Sequence, residues 1–71
     1  MAPGVPDVRR GDRIRLVFTP DPHTRLRPGA EGTVTGIDSS GTVHVDWDDG
    51  SQLGMVRAAG DRFEVIKKED E

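Results

Sequence analysis

The side chains with the widest chemical capability lie in a short segment interrupted by prolines. His23, Thr24, Arg25 and Arg27 fall within residues 20–29, which contain three prolines. Proline fixes a backbone angle and has no N–H donor, so the segment is expected to be a stiff loop and not a strand. A stiff loop loses little entropy on binding, and its charged and donor groups can contact a partner. The sequence therefore predicts that this loop recognises a protein or peptide.

The sequence also leaves a structural interpretation of these residues open. Thr24 and His23 could satisfy backbone groups of the loop, while Leu26 fills one end of the core. Trp47, the single tryptophan, has two interpretations as well. An exposed ring beside an apolar groove would be a platform for a peptide or a methyl group. Its position on the same face as Val43 instead favours a ring in the core or at its rim.

Asp48 and Asp49 precede Gly50 and indicate a tight turn, because an Asp-Gly step supplies the positive backbone angle that a hairpin turn requires. Together with Asp46 these acids suggest a calcium loop. Such a loop needs an acid at its twelfth position, and counting from Asp46 places Arg57 there. We therefore interpret the acids as a solvated turn and predict no metal site.

No pattern in the chain predicts catalysis. The sequence contains no cysteine, and His23 and His44 do not have the spacing of a zinc-binding pair. No serine is flanked by glycines as in a nucleophile elbow. His44 and Asp46 alternate with apolar residues, which is typical of the solvated face of a strand. We expect a non-enzymatic protein that uses no cofactor.

Arginines in the first half of the chain support an alternative function. Arg13 and Arg15 share the outward face of a predicted strand and, with Arg25 and Arg27, could contact nucleic-acid phosphates. The first 35 residues carry six arginines against four acids, but the remaining 36 carry nine acids against four basic residues. The net formal charge is −3. Nucleic-acid binding is therefore the second hypothesis, because non-specific affinity depends on phosphate neutralisation.

Short strands would have to position these side chains. One strand is indicated by Val43, Val45 and Trp47, which alternate with polar residues as in a half-buried strand. An odd apolar spacing across Gly36 predicts a bulge or a bend. Residues 57–60 are long enough only for a turn of 3₁₀ structure. The five predicted strands are Asp12–Thr19, Glu31–Asp38, Thr42–Trp47, Ser51–Val56 and a last one around Phe63 and Val65.

These elements predict a single all-β domain of the small-barrel type, with about five antiparallel strands and the 3₁₀ turn before the last strand. We place the barrel at residues 11–66 of the 71-residue chain, after a flexible arm at 1–10 and before a charged tail at 67–71. A domain of this size has one small core and little room for a deep pocket. Gly32, Gly36 and Gly54 are expected at places where the barrel bends or where backbones approach closely.

The order of features resembles an SH3-like β-barrel. The segments GDRIRLVFTPDPHTRLRPGAEGTVTGID, GTVHVDWDDGSQLG and DRFEVI, in this order, resemble a family of short bacterial proteins known only as a domain of unknown function. The resemblance spans residues 11–66 and implies a fold and little chemistry. In SH3-like barrels the first long loop and the later turn can lie side by side. On that basis we group the His23–Arg27 loop with Trp47, Asp48 and Asp49 as one partner-binding surface.

Two looser resemblances imply other roles. The pattern GDR, HTR, P, G, G within residues 11–32 is similar to the barrel of nitrile hydratase β subunits and their activator proteins, which implies an accessory of a metalloenzyme. Residues 11–38 also resemble the KOW element of ribosomal and transcription proteins, with Gly32 in the place of its essential glycine. That resemblance implies RNA binding.

Composition gives expectations about compartment and assembly. A small domain without disulfides fits a reducing cytoplasm, and the first residues contain no apolar run of signal-peptide length. We therefore expect a cytoplasmic protein with no membrane contact. Small barrels often leave an edge strand open, so a monomer and a homodimer are both compatible with the sequence.

Overall fold

The computed structural model describes residues 8–68 and shows an all-β fold built on one antiparallel sheet. A single 3₁₀ turn, Arg57–Ala59, precedes the last strand of this part of the chain, as predicted. No described helix has the length or apolar character needed to cross a membrane. The strands, in the sheet order β3-β2-β1-β4, are β1 Arg13–Phe18, β2 Glu31–Ile37, β3 Val43–Trp47 and β4 Arg62–Lys67.

The alternation of side chains along β3 shows how the sequence produces the sheet. Val43, Val45 and Trp47 are buried, while His44 and Asp46 between them are exposed. Successive side chains of a strand point to opposite faces, so one face of β3 packs on the core and the other meets solvent. The prediction for this strand is confirmed.

The predicted barrel of five strands is wrong, because the described residues form an open sheet of four. The segment predicted as Ser51–Val56 contributes one bridge, in which Met55 exchanges backbone hydrogen bonds of 2.9 and 2.8 Å with Val43. Other groups of the segment bond outside a strand ladder, since the Val56 N–H donates to Asp61 at 2.8 Å. The Leu53 carbonyl accepts the indole N–H of Trp47 at 2.8 Å and is thereby withdrawn from any ladder. The likeness to SH3-like barrels stays a prediction.

The core collects the inward side chains of the first three strands and of the loops around them. Val8 is only 1% exposed and belongs to this core, although the sequence placed it in the flexible arm. Lys67 lies in β4, and Lys68 forms an ion pair with the buried Asp12 at 3.3 Å. The rest of the predicted arm and tail, 1–7 and 69–71, lies outside the described residues. The buried apolar residues are Val8, Ile14, Leu16, Leu26, Val34, Val43, Val45, Trp47 and Met55.

Two features of β2 set the register against β3. Val34 pairs with Val45 and Gly36 with His44, so one extra residue of β2 is accommodated between them. This is the predicted bulge. At Gly32 a Cβ atom would lie 2.8 to 2.9 Å from atoms of β3, two of which belong to the backbone. Only glycine therefore allows the two strands to approach at this point.

Candidate functional site

The His23–Arg27 loop connects β1 to β2 and is held by bonds within itself. The Thr24 hydroxyl accepts the backbone N–H of Leu26 at 3.1 Å, and the Asp21 carboxylate accepts that of His23 at 2.9 Å. The Leu26 side chain is buried in the core. The structural interpretation of Thr24 and Leu26 is thus confirmed. These bonds fix the loop backbone and leave the His23 and arginine side chains on the outside.

Arg25 and Arg27 are exposed, and neither side chain makes a hydrogen bond or ion pair with residues 8–68. Arg25 also acts electrostatically on the Asp48–Gly50 turn. The pKa of Asp49 is lowered first by hydrogen bonds from Ser51, whose N–H is 2.8 Å from the carboxylate, and also by the charge of Arg25.

Asp48 has a different role from Asp49. Its carboxylate accepts two hydrogen bonds from the Arg13 guanidinium, at 2.8 and 2.6 Å. The hydrogen bond from Arg13 is the main reason that the pKa of Asp48 is lowered. The pair ties the turn after β3 to the outward face of β1. Asp48 is therefore already paired with a residue of its own chain, although the sequence predicted that it contacts the partner.

The outward face of the sheet carries a network of alternating charges. Arg13 contacts Glu31 at 3.4 Å, and Arg15 contacts Glu31 at 3.8 Å and Glu64 at 3.0 Å. The strand register explains the contacts, because Arg15 lies directly opposite both acids on the neighbouring strands. With Asp48 included, two arginines face three carboxylates. The predicted nucleic-acid set is thus divided, since Arg13 and Arg15 are neutralised whereas Arg25 and Arg27 are not.

Sequence reasoning missed Glu31 and Glu64 as the partners of these arginines. The feature that could have pointed to these two glutamates is that each occupies an outward position of its own strand. Cross-strand neighbours follow from the register, however, and the register is not readable from alternation alone. The bulges in the β1–β4 pairing shift it further.

Trp47 is 2% exposed, and its indole N–H donates to the Leu53 carbonyl at 2.8 Å. The interpretation as a core residue is confirmed, and the exposed-platform hypothesis is wrong. The ring lies on the inner face of the sheet because it shares the alternation of Val43 and Val45. Trp47 supports the turn that follows it and offers no surface to a partner.

A polar cluster at the opposite end of β3 involves Asp38 and His44. The pKa of Asp38 is held far below its usual range, first by the Ser40 hydroxyl at 2.7 Å and then by His44 Nε2 at 3.0 Å. The backbone N–H of Thr42 adds a third bond at 3.1 Å. These bonds close the turn between β2 and β3. Within residues 8–68 no three His, Asp or Glu side chains are grouped so that they could hold a metal ion.

Comparison with known proteins gives one match. A family described as Domain of unknown function (DUF4314) matches residues 7–68, which is most of the chain. The predicted resemblance to a family of unknown function is thereby confirmed. No curated protein and no solved structure matches the chain.

Proposed function

The chain belongs to the DUF4314 family, and we propose that it is a non-enzymatic binding module that recognises a protein or peptide partner. The proposed contact surface consists of the His23–Arg27 loop and of Asp49 in the turn after β3. Trp47 supports this surface from the core and Asp48 supports it through its pair with Arg13, and neither contacts the partner. The proposal replaces the broader surface expected from the sequence with a smaller one.

The observation that carries the proposal is the division of the arginines into two groups. Arg13 and Arg15 have carboxylate partners on the sheet. Arg25 and Arg27 have no hydrogen bond or ion pair with residues 8–68 and project from a loop whose backbone is already bonded. A fixed loop with unpaired guanidinium groups is preorganised for a carboxylate-bearing partner, since little ordering remains to be done on binding.

Affinity capture with quantitative mass spectrometry tests the proposal. The baits are the wild-type protein, the double variant Arg25→Ala/Arg27→Ala, and Arg10→Ala. Arg10 is also exposed and has no hydrogen bond or ion pair with the described residues, so it is a matched control. We expect a protein that is captured by the wild type and by Arg10→Ala and is lost with the double variant. Equal capture by all three baits overturns the proposed surface.

Nucleic-acid binding is the second proposal and has weaker support, because among residues 8–68 only two of its four arginines, Arg25 and Arg27, have no ion-pair partner. Fluorescence anisotropy with single-stranded RNA and duplex DNA at two salt concentrations separates the two functions. Phosphate contacts would make the affinity fall steeply with salt. A steep fall together with no captured protein would favour nucleic acid over a protein partner.

An accessory role for a metalloenzyme is the third proposal and depends on the looser resemblance alone. Its distinguishing result is the identity of the captured partner. A larger metal-containing subunit retained by the wild-type bait would support it, and a partner without metal would exclude it.

A further inference from the structure

The corner between the 3₁₀ turn and β4 contains a cavity of about 190 Å³ lined by Arg57, Asp61, Arg62 and Phe63. The Arg57 guanidinium lies over the Phe63 ring, 4.6 Å from its centre. This cation–π contact holds one positive charge at the wall of the cavity. Arg62 is exposed and has no side-chain hydrogen bond or ion pair with residues 8–68. The cavity therefore combines one fixed and one available guanidinium.

Asp61 is the only acid in this lining, and its carboxylate is already committed. One oxygen accepts the Thr19 hydroxyl at 2.5 Å, and the other accepts the backbone N–H of Val56 at 2.8 Å. The residue is 8% exposed. Asp61 therefore anchors the corner and is not a partner for Arg62. The accessible charge of the cavity is positive.

An exposed apolar side chain lies beside this positive charge. Phe18 is 49% exposed and lies directly opposite Arg62 in the β1–β4 pairing. Directly opposed residues of antiparallel strands bring their side chains close together on one face. The Phe18 ring is therefore an apolar surface next to Arg62 in the sheet.

The corner is continuous with the start of the loop after β1. The bond from Thr19 to Asp61 joins the two. Pro20 packs beside Gly60, where a Cβ atom would lie 3.6 Å from the proline Cγ. The start of this loop therefore lies beside the corner cavity.

We propose that this corner binds an acidic side chain of the partner, Glu or Asp, next to an apolar residue that packs on Phe18. The inference rests on the proposed function and specifies the chemistry of the partner segment. The carboxylate pairs with Arg62 beside Arg57, and the apolar neighbour covers Phe18. Charge-assisted hydrogen bonds to a guanidinium are stronger than those between neutral groups, and burial of the Phe18 ring adds to the binding free energy.

The test is a titration of the ¹⁵N-labelled full chain with blocked dipeptides. The probes are acetyl-Leu-Glu-amide, acetyl-Leu-Gln-amide and acetyl-Leu-Lys-amide, which differ only in the charge of one side chain. We expect the Glu probe to shift the amide signals of Phe18, Arg62 and Phe63 and to bind about tenfold more tightly than the Gln probe. The Lys probe should not shift them. Equal binding of the Glu and Gln probes overturns the proposal.

Variants of the corner residues distinguish the corner proposal from the proposed role of the His23–Arg27 loop. Arg62→Ala and Phe18→Ser should each weaken the Glu probe by about fivefold or more, and Arg10→Ala should not. Retained spectral dispersion shows that each variant is folded. If Arg62→Ala leaves the Glu probe unchanged, the corner proposal fails, whatever the loop variants do. Conversely, loss of partner capture with Arg25→Ala/Arg27→Ala and its retention with Arg62→Ala would support the proposed function and contradict the corner proposal.

Discussion

Arg13 on β1 donates two hydrogen bonds, of 2.8 and 2.6 Å, to the carboxylate of Asp48 in the turn after β3. The two residues are 35 positions apart in sequence, and β2 lies between their strands. The contact holds the acidic turn against the sheet. It neutralises Arg13, which the sequence predicted as a nucleic-acid contact under the second hypothesis. It also fixes one edge of the surface that we assign to the partner.

The lowered pKa values of Asp48 and Asp49 predict how stability depends on pH. Each carboxylate binds its proton less readily in the folded state than in the unfolded one, whose pKa is about 3.9. Their contribution is complete above that value and is lost as pH falls through the lower folded pKa. We expect the thermal midpoint to be flat from neutral pH to about pH 5 and to fall below it.

Asp48→Asn tests this relationship directly. The variant should melt at a lower temperature than the wild type at pH 7. Its thermal midpoint should fall less on acidification, because one carboxylate with a lowered pKa has been removed. Asp46→Asn is the control, because Asp46 is exposed and has no side-chain hydrogen bond or ion pair with residues 8–68. An acid-melting curve of Asp48→Asn that parallels the wild-type curve would contradict the assigned role of Arg13.

Gly32→Ala should destabilise the protein by about 1–3 kcal/mol, as overpacking does. The new methyl group would lie 2.9 Å from the Asp46 carbonyl oxygen and from Trp47 Cα, which cannot move without shifting β3. Gly36→Ala is the matched control, because a Cβ there has no heavy atom within 4 Å. Urea unfolding of the two variants measures the difference. Equal stabilities would show that β2 and β3 do not approach as described.

Trp47 should report a dry environment. Its fluorescence in the folded protein is expected at shorter wavelength than in urea and should resist quenching by iodide, because the ring is 2% exposed. Trp47→Phe removes the donor to the Leu53 carbonyl and should cost about 1–3 kcal/mol, measured by circular dichroism. Strong iodide quenching of the native protein would restore the platform hypothesis.

Asp61→Ala should cost about 1–3 kcal/mol, because it leaves the Val56 N–H and the Thr19 hydroxyl without their acceptor. Asp46→Ala removes a carboxylate from a solvated position and should change the free energy of unfolding by less than about 0.5 kcal/mol. Urea titrations of both variants give the comparison. If the two losses are the same, Asp61 does not anchor the corner.

The parts of this fold that the sequence predicts are those encoded by neighbours in the chain. The period-two pattern of Val43, Val45 and Trp47 predicted β3 and the burial of the indole. The prolines of residues 20–29 predicted the loop, and the odd spacing around Gly36 predicted the bulge. Each of these follows from backbone geometry over a few residues.

The parts that the sequence does not predict depend on partners far away in the chain. The segment around Met55 has the alternation of a strand, yet the Leu53 carbonyl bonds to an indole and only one bridge forms. Arg13 has the pattern of a free surface cation, yet its acids arrive from two other elements. Strand register and side-chain direction determine the pairing around Met55 and the partners of Arg13. The local sequence pattern specifies neither of them.

The most direct test of the central claim is an interaction footprint of the captured partner on the ¹⁵N-labelled protein. We expect the largest signal changes on the His23–Arg27 loop and on Asp49, with small changes at Arg13 and Arg15. A footprint centred on the outward sheet face around Arg13 and Arg15, with the loop signals unchanged, would contradict it.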